Sequence, residues 1–78
     1  MNPMEKLLHF LAQLREKKIY FTLEQNSEVS IMVIIAVPGE KWEVEFFGDG
    51  DVKIEIFRSD GKILGEPELE RLFREFSD

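Results

Sequence analysis

The spacing of apolar residues changes along this chain, and each change marks a new element. Over residues 4–18, Met4, Leu7, Leu8, Leu11 and Leu14 recur at helical spacing, with Phe10 widening the stripe, which predicts an amphipathic helix. Pro3 suits its first turn, Glu5 lies near the positive end of its dipole, and Arg15, Lys17 and Lys18 lie near the negative end. The period then falls to two. Residues 19–24 predict a first strand with Ile19, Phe21 and Leu23 on one side, and Gln25 to Glu28 a polar turn. Residues 29–37 are apolar apart from Ser30, until Pro38 and Gly39 break the run. Residues 41–47 alternate cleanly except at the end, and Gly48-Asp49-Gly50 turns the chain into a fourth strand over 52–57. Asp60-Gly61 signals another turn, after which Lys62, Ile63 and Leu64 admit a short fifth, edge strand. Residues 66–76 predict a closing helix, with Pro67 in its first turn and Leu69, Leu72, Phe73 and Phe76 as its stripe.

Turn length selects the strand register. A loop over 48–50 with Gly50 in the left-handed position pairs Phe46 with Val52, Val44 with Ile54 and Trp42 with Ile56. A loop one residue shorter would set Trp42, Val44 and Phe46 on the face of Lys53 and Glu55, so the hydrophobic pattern chooses the longer loop. Around Pro38-Gly39, either a two- or a four-residue loop brings Ile31, Val33 and Ile35 to the face of Trp42, Val44 and Phe46. The core face then carries Phe21, Leu23, Ile31, Val33, Ile35, Trp42, Val44, Phe46, Val52, Ile54 and Ile56. The expected fold is a two-layer α+β domain spanning residues 1–78: an N-terminal helix, a four-stranded antiparallel meander and a C-terminal helix.

The strand at 29–37 is apolar on both sides, unlike its alternating neighbours. Its second face must therefore be covered by a helix, a second copy or another protein. Met32, Ile34 and Ala36 run down the middle of that face, Tyr20, Phe47 and Phe57 lie towards its rim, and Glu43, Glu45, Lys53 and Glu55 stand beside it. An apolar stripe with aromatic and charged borders is the composition of a protein interface. Burying the Met32 and Ile34 side chains is worth roughly 1.5–3 kcal/mol each.

Composition narrows the partners. A net charge of -6 disfavours phosphate-backbone binding, so nucleic acid is not expected. Cysteine is absent, which excludes disulfides and thiolate zinc sites. The N-terminus lacks the basic start and unbroken apolar centre of a signal peptide, and the run at 29–37 is far too short to span a membrane as a helix. A cytoplasmic location is expected by default.

Candidate chemistry is sparse, and no cofactor or metal is expected. His9 is the only histidine and has no recognisable ligand or triad partners. Gly48-Asp49-Gly50-Asp51 invites a calcium reading, but counting from Asp49 puts Lys53 at the fifth position, Ile54 at the sixth and Asp60 at the twelfth of an EF-hand loop. A hairpin turn accounts for the same residues. Glu43, Glu45 and Glu55 could set carboxylates close together, as glycoside hydrolysis requires, but they project from a sheet face with Lys53 able to pair across strands. Lys6, Arg15, Lys17, Lys18, Arg71 and Arg74 on the helices are interleaved with glutamates and read as solvated surface. The expectation is a non-enzyme, a protein-binding or self-associating module that uses the second sheet face. The alternative class is a small-ligand or enzyme domain with a pocket between sheet and helices lined by Trp42 and Tyr20.

The run Val37-Pro38-Gly39-Glu40-Lys41-Trp42-Glu43-Val44-Glu45-Phe46-Phe47, with Phe57-Arg58-Ser59-Asp60-Gly61 after it, resembles small uncharacterised bacterial proteins with a VPGE-x-WEVEFF-x-DG core, an acidic strand and a short closing helix. The resemblance covers about half the chain. Some such acidic proteins are similar to those encoded beside polymorphic toxin genes. What this implies is an immunity-type inhibitor of a basic toxin enzyme, with no functional residues carried over.

Overall fold

The computed structural model describes residues 1–58, 63–64 and 68–76. The helix α1 (Pro3–Glu16) begins at a capping box in which the Asn2 side chain accepts from the Glu5 N–H and the Glu5 carboxylate accepts from the Asn2 N–H. It ends two residues before the spacing predicts. The Lys18 N–H donates to the Arg15 carbonyl and the Ile19 N–H to the Leu14 carbonyl, a Schellman closure with Lys18 left-handed at φ 60°. The driving force is burial: Ile19 folds back into the core together with fully buried Leu14 rather than beginning a strand.

Five strands follow in chain order: β1 (Phe21–Ser27), β2 (Ser30–Val37), β3 (Glu40–Phe47), β4 (Val52–Phe57) and β5 (Ile63–Leu64). Each pairs antiparallel with the next, so the meander and its short fifth strand stand as the pattern predicts. The first hairpin differs. β1 continues through a bulge between Glu24 and Ser27, and Ser27 pairs with Ser30, leaving Glu28 and Val29 as the turn. Pairing resumes at Ser27 after the polar bulge residues Gln25 and Asn26, which is why an apolar pattern stops the strand too early. Val29 accordingly stands 63% exposed in the turn rather than in the strand.

The other registers are those selected by turn length. Phe46 pairs with Val52, Val44 with Ile54 and Trp42 with Ile56, with Gly50 left-handed at φ 97°. Val37 pairs with Glu40, so the two-residue loop Pro38-Gly39 is the one used, and its glycine has φ 79°. The expected turn at Asp60-Gly61 and the start of the last helix at Glu66 and Pro67 lie outside the described residues. That helix, α2, is seen over Glu68–Phe76.

Both helices pack on one face of the sheet. Phe10 of α1 meets Phe46 of β3 at 5.3 Å and Phe73 of α2 at 5.7 Å between ring centroids. Leu14, Val33, Ile35, Trp42, Val44, Ile54, Ile56 and Leu72 are fully buried between the layers. Cover thins out towards β1 and the start of α1. Leu23, expected in the core, is 52% exposed, and Met4 and Leu8, expected on the buried stripe, are 62% and 55% exposed. The helix contributes Leu7, Phe10, Leu11 and Leu14 to the core, a narrower stripe than its sequence offers.

Candidate protein-binding face

Strand pairing arranges the second face in rows. Thr22, Ile34, Glu43 and Glu55 lie side by side across four strands, and Glu24, Met32, Glu45 and Lys53 form the next row. Ala36, Lys41 and Phe57 make a third row, and Ser30 and Phe47 a fourth. Lys41, which the alternation of its strand also places here, belongs to the face and was not among the expected residues.

No described helix residue covers these rows, because both helices occupy the opposite layer. Met32 and Ile34 are half-buried within the sheet surface, Ala36 is exposed, and Phe57 is 43% exposed. Tyr20 precedes β1 and stands 74% exposed. The charged side chains lie along the face. The Lys53 ammonium sits 5.2 Å from the Phe47 ring centroid and that of Lys41 5.7 Å from the Phe57 ring. Lys41 also pairs with Glu43 at 3.5 Å, and the Ser30 hydroxyl donates to Glu45. Glu43, Glu45, Glu55, Lys53 and Met32 line a shallow depression of about 190 Å³. Lysine stems and aromatic edges thus frame a stripe of Met32, Ile34 and Ala36.

The other candidates fall apart in space. Trp42 is fully buried and Tyr20 is exposed, so they do not line a common pocket. His9 is exposed in a groove between the helices shared with Gln13, Glu16, Lys17, Glu70, Phe73 and Arg74. In the acidic loop, Asp49 accepts from the Asp51 N–H and the Lys6 ammonium donates to the Gly50 carbonyl, so loop and helix are tied together. Among the described residues, no group of three or more acidic, histidine or cysteine side chains could hold a metal ion. Nor is any described helix long and apolar enough to cross a membrane.

The best-defined polar cluster is one that sequence reasoning missed. Glu40 accepts from the Trp42 indole N–H at 2.8 Å, from Arg58 at 2.8 Å and from Arg71 of α2 at 3.3 Å. The Arg71 guanidinium lies over the Trp42 ring at 5.1 Å and also reaches Glu75 at 3.1 Å. Burial pushes the Glu40 carboxyl up, but the Trp42 indole and the Arg71 and Arg58 charges outweigh it, so its pKa lies below the ordinary 4.5. Its shared alternation with Trp42 was the available signal. The cluster clasps α2 to the sheet.

Compared with protein-family models, curated proteins and solved structures, the chain matches none.

Proposed function

We propose that this protein is a small, non-catalytic, cytoplasmic module that binds another protein, or a second copy of itself, through the outer face of its sheet. The observation that carries this reading is the placement of both helices on one layer, so that no described helix residue covers Met32, Ile34 and Ala36. The borders support it, with Phe47 and Phe57 at the edge and Glu43, Glu45, Glu55, Lys41 and Lys53 around them.

The test is the solution mass by light scattering, for the native chain and for Ile34→Lys. Lysine suits better than glutamate because Ile34 sits directly opposite Glu43, where a second carboxylate would be repelled. A native dimer that becomes a folded monomer on substitution is the expected result for self-association. A native monomer whose Ile34→Lys variant is equally folded removes that version and leaves the face to a different protein.

A net charge of -6, with Glu43 directly opposite Glu55, favours a basic partner such as a toxin enzyme. Association with such a partner slows as salt rises, whereas an apolar self-association barely responds. Unfolding of Ile34→Lys would sink the reading, since the residue would then be core.

A further inference from the structure

The two edges of the sheet are guarded unequally. β5 is two residues long, and short edge strands are a recognised defence against unwanted pairing. β1 has seven residues, no proline, no lysine or arginine, and Glu24 as its sole charge. Its bulge falls between Glu24 and Ser27, beyond the regular stretch from Phe21 to Glu24. Among the described residues β1 pairs only with β2, so a row of its backbone N–H and C=O groups faces away from the described sheet. On the helix side of that edge, Leu23 is 52% exposed, and beside it lies a cleft of about 480 Å³ lined by Met4, Leu7, Gln25, Val29, Ile31 and Phe46.

We propose that β1 pairs antiparallel with the β1 of a second copy, about a two-fold axis at Leu23, joining two sheets into one. An unpaired strand edge is satisfied by another strand, and β1 is complementary to itself in this register. Within the regular stretch, Leu23 meets the partner's Leu23 and Thr22 meets the partner's Glu24. Helix-side residues stay on the helix side, which a slip by one residue would reverse. Centring the axis on Glu24 would oppose two carboxylates, which is destabilising. The proposal is independent of the outer face, and the two interfaces together would give an assembly of four copies.

The test measures the mass of the native chain, Leu23→Lys and Ile34→Lys, with circular dichroism as the check on folding. Leu23→Lys sets two ammonium groups against each other at an exposed position, so the fold should survive while pairing is lost. A native dimer abolished by Leu23→Lys and unchanged by Ile34→Lys supports edge pairing and removes outer-face self-association. A native four-copy assembly reduced to dimers by either variant supports both. A monomeric native chain, or a dimer lost only in Ile34→Lys, overturns edge pairing.

Cross-linking supplies a second readout, because the chain has no native cysteine. Directly opposed residues of antiparallel strands have Cα atoms about 4.5–5.5 Å apart, within disulfide reach. Leu23→Cys should therefore form an intermolecular disulfide faster than Thr22→Cys, which faces the partner's Glu24. Equal rates overturn the register.

Discussion

Lys18 holds a backbone φ of 60° at the end of α1, a conformation that costs an L-residue roughly 1–2 kcal/mol and glycine almost nothing. Lys18→Gly should add about 0.5–1 kcal/mol of stability, read as a higher urea midpoint and less than the full strain because glycine also loosens the unfolded chain. An unchanged slope would show that the midpoint shift reports stability and not a change in the surface exposed on unfolding. Glu40 makes the opposite case. Glu40→Gln keeps a hydrogen-bond acceptor but removes the charge facing Arg58 and Arg71. The Arg58 side chain is 33% exposed and partly screened, so the expected loss is on the order of 1–2 kcal/mol. Because its folded pKa is depressed, the Glu40 contribution is complete above 4.5 and is lost as pH falls below that value through the lower folded one. Urea titrations across this range should show a steeper acid loss in the native protein than in Glu40→Gln.

At the scale of elements, most of what sequence could supply was the identity and order of the strands. Turn chemistry carried the register: the left-handed glycine of the β3–β4 loop left one pairing that put Trp42, Val44 and Phe46 with Val52, Ile54 and Ile56. Boundaries were less legible. Ile19 looked like strand because it is apolar, and only the hydrogen bond from its N–H to Leu14 shows it to be the last part of a helix cap. Leu23, Met4 and Leu8 looked like core because a sequence pattern carries no information on how far a short helix reaches across a sheet. The role of α2 rests on fully buried Leu72 and on Arg71 beside it. Leu72→Ala should cost roughly 2–4 kcal/mol. It should also loosen the helix over Trp42, and a red shift of the single tryptophan's emission checks that effect.

For the whole molecule, strand alternation assigns Met32, Ile34, Ala36, Glu43, Glu45, Phe47, Lys53, Glu55 and Phe57 to the outer face, and the strand rows place them there; Tyr20, expected with them, precedes β1 and lies in none of the rows. Which layer the helices cover was not legible, because the pattern suits either, and the packing of Phe10 against Phe73 places both on one. The same two-layer geometry predicts that Ile34→Lys leaves the stability of the single chain within about 1 kcal/mol of the native monomer, far below the cost of a core substitution. Melting curves at a concentration where light scattering shows both to be monomeric check this.

Because the sheet order repeats the chain order, β1 to β4 each find their neighbour by closing one short turn. The entropy lost in closing a loop grows with its length, so the search for this sheet is a succession of small local steps. Fold topologies rich in such local contacts cross their folding barrier quickly and spend little time with strands exposed. A chain whose described helices leave Met32, Ile34 and Ala36 uncovered thereby limits the interval in which that stripe could capture the wrong neighbour.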